Sequence, residues 1–423
     1  MAAVRPVPPA VRVRVAGHRP ADARHAGAAD GAADRDDGVS VPVEEARRTG
    51  DSGAAHAPEL SRPRAGGRAV RLHTAALGLW TVFLVAFLVL TGEHWWWRPV
   101  ELLPPLVFLV VPLILLALAP LARTARIRLA AAALCCLVLG LPLAGLNVHA
   151  LPGVGGAAAA PPGALRVFSW NTEYWDDSDD PDEFYAYLKA QRADVYLLQE
   201  HVSWDLDGHR PIRADHVAEL RDRFPGFHVV AVGEMLTASR YPIEKWNALD
   251  SWPYLSDSRT GMPPDGEFPD YYRYKVLRTD LRVEGRVMTF YNMHVPVQLD
   301  VSMDPTSAGF TSFMRAQEVR RQAHYRALER DLAENRLPVV LAGDLNGTSA
   351  MGEVRRLGDR LRDALPASDQ LHPGSWPASG PALWRLDWAF TSEPIEVHDY
   401  RTVDSRGMSD HRAQALTLSV PGD

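Results

Sequence analysis

Pro338-Val339-Val340-Leu341-Ala342-Gly343-Asp344-Leu345-Asn346-Gly347-Thr348, PVVLAGDLNGT, is an apolar run that ends in a carboxylate and, two positions on, an amide. A short continuous apolar run bounded by a turn signal is the pattern of a buried strand. Asn followed by Gly is a turn former, so the stretch taken alone reads as a strand and a turn. It becomes a catalytic edge only if other strands deliver polar side chains to the same place.

Several do. LRVFSW runs into Asn171, DVYLLQ into Glu200 and RVMTFYNMHV into His294; later come Asp387 in LDWAF and Ser409, Asp410 and His411 in GMSDHRA. FHVVAV is a further strand, and helical periods lie between the strands, clearest at 313–335. From Leu165 the pattern predicts one layered α/β domain, with two sheets in a sandwich flanked by helices.

With Asn171 in SWNT, Gln199-Glu200 in LLQE, SRYP at 239–242, His294 in YNMHVP, GDLN at 343–346, Asp387 in LDW and SDH at 409–411, residues 165–418 resemble the endonuclease/exonuclease/phosphatase, or DNase I-like, superfamily. The motifs are individually common, and their order makes the likeness specific. The resemblance implies a four-layer α/β sandwich of two mixed sheets flanked by helices, and a Mg²⁺- or Mn²⁺-dependent hydrolase of phosphate esters.

The chemistry of the residues agrees. Phosphoester hydrolysis needs phosphoryl charge neutralised, a positioned water and an aided leaving group. Hard cations take oxygen ligands, so Glu200 is the expected metal anchor, with Asn171 and Asp410 beside it. His411 is the candidate acid/base, and the resemblance implies Asp387 as its orienting partner. His294 and Asn346 are expected on the phosphate, and Asp344 on the attacking water; whether Asp344 or His411 is the base stays open. Glu173 is a weak metal candidate. DDSDDPDE at 176–183 lacks EF-hand spacing, and its Asp and Pro read as helix caps. YYRY at 271–274 reads as a strand edge, and Arg315, Arg320 and Arg321 as a solvated helix face.

The net charge of −7 hides two unlike parts: residues 165–423 hold 29 Lys and Arg against 41 Asp and Glu, residues 1–164 hold 16 against 11. An acidic C-terminal part argues against sequence-blind duplex binding and leaves nucleic acid, a lipid head group or a small phosphoester open as substrate. The two cysteines, Cys135 and Cys136, lie in an apolar run, so no disulfide framework is expected. Residues 1–70 read as a disordered arm, 71–149 as three transmembrane helices (Leu72–Thr91, Val100–Ala122, Leu129–Val148) and 150–164 as a Gly/Ala/Pro linker. Arg62, Arg64, Arg68, Arg71, Arg123, Arg126 and Arg128 flank one membrane face and Arg98 alone the other. The positive-inside rule then predicts a plasma-membrane protein with a cytoplasmic N-terminus and an extracytoplasmic catalytic domain; no protein partner is expected. An inactive receptor or scaffold that kept the fold is the rival reading, and it fits poorly with a complete set of site residues. A transporter should show more spans, with polar residues at mid-membrane depth; the three spans here read as an anchor.

Overall fold

A computed structural model describes residues 65–154, 158–175, 180–205, 210–262 and 268–420. Most of the expected arm, part of the linker and the first half of the acidic run at 176–183 lie outside them.

Two six-stranded mixed sheets form the C-terminal domain. The first holds β1 (Leu165–Asn171), β2 (Val195–Gln199), β5 (His228–Val232), β6 (Met235–Ser239), β13 (Glu396–Val403) and β14 (Ala413–Ser419), in the order β13-β14-β1-β2-β6-β5. The second holds β7 (Ile243–Ala248), β8 (Val276–Val283), β9 (Arg286–His294), β10 (Val339–Asp344), β11 (Arg362–Asp363) and β12 (Asp387–Thr391), in the order β11-β12-β10-β9-β8-β7. β3 (Val202–Asp205) and β4 (Arg210–Arg213) make a separate hairpin. Parallel pairing is confined to β1–β2 and β9–β10 among the named strands, and the ends of those four central strands bring in Asn171, Glu200, His294 and Asp344.

Side-chain alternation explains the layers. In β1, Leu165 and Val167 face the second sheet while Phe168 and Trp170 face the helices α5 (Pro181–Ala190) and α6 (Val217–Arg223). In β10, Val340 and Ala342 point inward; Val339 and Leu341 pack outward against α9 (Ala308–Glu334) and α10 (Gly352–Gly358). The order helix, sheet, sheet, helix is the four-layer sandwich expected from the sequence. Asp180 caps α5 by accepting from the Asp182 amide at 2.8 Å, with Pro181 in its first turn, as the sequence indicated. Two expectations fail. YYRY is not a strand edge: Pro269 starts a short helix, α8 (Pro269–Arg273), following α7 (Ser258–Gly261). Arg321 is not solvated: it is fully buried, and its Nη1 donates to the Pro296 carbonyl at 2.5 Å.

Before the domain come α1 (Ala65–Leu90), the short α2 (Arg98–Glu101), α3 (Val107–Leu118) and α4 (Arg126–Gly140). Gly67–Leu90 and Arg126–Ala144 are long and apolar enough to cross a membrane; the apolar helical stretch Val107–Ala122 is shorter. The expected second span is therefore interrupted: Pro104 and Pro105 remove amide donors and restrict the residues before them, so its first residues form no continuous helix with α3. The helices share one apolar cluster, which also includes Ala350 of the C-terminal domain. The domain is thus docked on them. Asn147 seals the contact, its amide donating to the Leu371 carbonyl at 2.8 Å and its Nδ2 to that of Ser368 at 2.7 Å.

Candidate active site

The alternation that builds the core also builds the site. Asn171, His294, Asp344 and Asp387 each continue the inward-facing series of their strand, Asp344 and Asp387 one step beyond an apolar residue, Asn171 and His294 one step beyond the buried Ser169 and Asn292. They therefore meet at the mouth between the two sheets, where each strand end or start leaves the core. β9 and β10 pair in register with His294 opposite Asp344, and β10 and β12 with Asp387 opposite Asp344.

Asp344 is the centre. Its Oδ2 lies 3.6 Å from His294 Nε2 and 3.6 Å from His411 Nε2. It also accepts from Asn171 Nδ2 at 3.1 Å and from Asn346 Nδ2 at 3.1 Å. Asn171 Nδ2 reaches Glu200 Oε1 at 2.9 Å as well. Glu200 and Asn346 hold left-handed backbone at φ 57 and 42. Such conformations cost energy in non-glycine residues and concentrate at functional sites. Asn346 is fixed there by its amide on Asp344 Oδ1 at 2.7 Å and its Nδ2 on the Val295 carbonyl at 2.9 Å.

Each histidine is backed by a carboxylate. His411 Nδ1 lies 2.8 Å from Asp387 Oδ2, the partner implied by the resemblance. His294 Nδ1 lies 2.8 Å from Glu234 Oε1, and Glu234 also pairs with the buried Lys275. Sequence reasoning missed Glu234 and Lys275, because a lone carboxylate in the β5–β6 hairpin reads as a solvated turn residue. The one available signal was its setting between apolar strands in VGEML. Tyr271 joins them, its ring 3.5 Å under Lys275 Nζ.

Burial opposes the charged forms of all these groups, and their neighbours decide the outcome. Burial pushes the Glu200 and Asp344 carboxyls up, incompletely offset by the histidines. Glu234 goes the other way: burial would raise it, but His294 and Lys275 pull it down to about 2. Burial would lower both histidines, yet Glu234 raises His294, and Asp387 with Asp344 raises His411 well above the usual imidazole range.

Among the described residues, five acidic side chains (Glu200, Glu234, Asp344, Asp387 and Asp410) meet three basic ones (Lys275, His294 and His411), an excess of acidic groups. That excess and an oxygen-rich donor set fit a hard divalent cation. Among the described residues, Asp344, Asp387 and His411 have ligand atoms within 4.8 Å of one another. Asn171 adjoins this group through Asp344, and Glu200 through Asn171. Asp410 sits at the rim, half exposed, taking a hydrogen bond from Trp376 Nε1 at 2.9 Å. Its amide donates to Glu173 Oε2 at 2.8 Å, which places Glu173 at the rim too.

Residues 168–411 match the model of the Endonuclease/Exonuclease/phosphatase family. No curated protein matches the chain. Among solved structures, a mannosyl-6-phosphatase of Bacteroides thetaiotaomicron is similar at 15 % identity and TM-score 0.41, over 60 % of this chain and 99 % of that one. An endonuclease/exonuclease/phosphatase of Beutenbergia cavernae is similar at 20 % and 0.42, over 61 % and 72 %. The catalytic domain of human Nocturnin is similar at 13 % and 0.41, over 62 % and 97 %.

Proposed function

The chain belongs to the endonuclease/exonuclease/phosphatase family, a family of phosphoester hydrolases, and on that premise we propose that it is a membrane-anchored, divalent-metal-dependent phosphoesterase with an extracytoplasmic site. One observation carries the catalytic reading: Asp344 lies between two imidazoles, each backed by its own buried carboxylate.

In this reading Glu200, Asn171, Asp344 and Asp410 hold Mg²⁺ or Mn²⁺, which supplies charge neutralisation at the phosphoryl oxygens. The chain's own groups do the rest. Asp344 orients the attacking water and takes its proton. His411, held cationic by Asp387 and Asp344, donates a proton to the leaving oxygen. His294, kept charged by Glu234, and the Asn346 amide bind the phosphate.

The anchor reading rests on the two long apolar helices and on a contact between distant segments. Arg98 and Leu102, in the segment between α1 and α3, bond to the C-terminal domain, which supports a topology with that segment and the domain on the same side of the membrane. Three spans satisfy this, with Arg123, Arg126 and Arg128 at the opposite, cytoplasmic end. The test is turnover of bis-p-nitrophenyl phosphate by the full chain in nanodiscs, with Mg²⁺ or Mn²⁺ and after chelation. Turnover is expected to need the metal and to fall about 100-fold or more in His411→Ala. Equal rates in variant and parent, or turnover indifferent to chelation, refute the assignment. A C-terminal reporter active only in the cytoplasm refutes the topology.

A further inference from the structure

Arg98 lies between the first two apolar helices in the chain, yet it is only 1 % exposed, because it is buried against the C-terminal domain. Its Nε and Nη2 donate to both oxygens of Glu318, at 2.6 and 2.9 Å. Nη1 and Nη2 donate to both oxygens of Glu353, Nη1 at 3.0 Å. Nη1 also reaches Glu101 at 2.6 Å. Gln322 Nε2 bridges Glu318 and Glu353 at 3.1 Å each.

Those two carboxylates lead to the site. Glu353 opens α10, directly after the segment 345–351 that begins beside Asn346. Glu318 lies one turn before Arg321 on α9, and Arg321 reaches the Leu345 carbonyl at 3.5 Å. Within the segment, Ser349 Oγ donates to the Leu143 carbonyl at 2.9 Å and Ala350 packs among the apolar helices. The other wall is held from the same loop. Trp384 Nε1 donates to the Leu102 carbonyl at 2.9 Å, and Trp384 packs edge to face against Trp376, whose indole holds Asp410 beside His411.

Apolar packing would hold two domains together at lower desolvation cost than a buried ion cluster. What a guanidinium adds is direction, because its planar fork fixes several carboxylates at set angles. We propose that Arg98 is a positioning residue of the active site: through Glu353 and Glu318 it fixes the segment that presents Asn346, so that docking of the anchor sets the geometry of phosphate binding. The proposal rests on the reading of Asn346 as a phosphate ligand.

The experiment uses the full chain in nanodiscs, with Arg98→Met and the milder Glu318→Gln, whose carboxylate keeps 18 % exposure. Amide exchange in 345–353 is expected to quicken about tenfold or more in both variants, with β9 unchanged. For bis-p-nitrophenyl phosphate, kcat per folded enzyme is expected to fall about tenfold in Arg98→Met and about threefold in Glu318→Gln, with KM changing less than either. If Arg98→Met does not accumulate folded, Glu318→Gln decides alone. A lower melting midpoint with parental kcat and parental exchange in 345–353 makes the cluster merely structural and overturns the proposal. If the parent itself shows no turnover, the hydrolase reading fails, and the exchange measurement still decides whether Arg98 fixes the segment.

Discussion

Replacing Glu234 by Gln removes the charge shared by His294 and Lys275 while keeping the side chain's shape. Two routes give the cost. Glu234 is held at about 2 against an ordinary 4.5, a difference worth about 3 kcal/mol at neutral pH. Breaking a buried pair by removing one partner costs about 3–5 kcal/mol, because Lys275 is left uncompensated. Since each kcal/mol moves the midpoint of a domain this size by about 2–4 °C, melting should fall by about 6–20 °C. The sign follows from the depressed carboxyl. Its stabilisation is complete above pH 4.5 and is lost as pH falls toward 2, so the deficit of Glu234→Gln should shrink in acid. The double variant Glu234→Gln/Lys275→Met removes both charges, and most of the lost stability should return. Its turnover should not, because His294 still lacks the carboxylate that orients and charges it. Thermal melts of the parent, both singles and the double, with turnover beside each, close the cycle. A double variant as unstable as Glu234→Gln, or one with parental turnover, refutes the reasoning.

Two further predictions come from other buried positions. His324 on α9 is depressed by burial from 6.5 to about 3, so it stays neutral in the fold while the unfolded chain protonates. Stability is therefore lost as pH falls below 6.5, by about 2 kcal/mol at pH 5. In His324→Leu the gap between midpoints at pH 7 and pH 5 should narrow by about 4–8 °C, and an unchanged gap counts against the assignment. Gly343 has φ +152, and a Cβ there would sit 1.9 Å from the Met293 carbonyl oxygen. Gly343→Ala should force β10 from β9 and cost about 100-fold in turnover or block accumulation, while Gly358→Ala, with open space around it, should behave as the parent.

What the sequence made legible was whatever a short window encodes. Val340, Ala342 and Asp344 alternate on one face of β10, and that parity is written in PVVLAGD itself. The same holds for Asn171 and His294, so strand, turn and candidate site could be read together. Glu234 could not, since its importance comes only from the packing of the two sheets, which brings the β5–β6 turn to the end of β9. Arg98 was harder still: Glu318 and Glu353 lie 220 and 255 positions away, and in its own window Arg98 is simply the one basic residue beside a Trp cluster. YYRY misled because aromatic residues favour strands, and the Pro269 start signal was outweighed.

Because the site straddles two sheets, their relative placement has to be specified as tightly as any side chain, and apolar packing alone tolerates sliding. The chain meets this with a buried amide pair directly beneath the site. Gln199 Nε2 donates to Asn292 Oδ1 at 2.7 Å, and Asn292 Nδ2 donates to the Leu198 and Leu236 carbonyls at 2.9 Å each. Gln199 immediately precedes Glu200, and Asn292 lies two residues before His294. A shift of one sheet over the other would break these three buried hydrogen bonds at once, and each polar group left without a partner costs about 1–3 kcal/mol. The Gln of LLQE and the Asn of YNMH therefore act as a bolt below the reacting groups. Above them stand Glu200 and His294, which come from different sheets and lie 3.8 Å apart, a spacing that this bolt maintains.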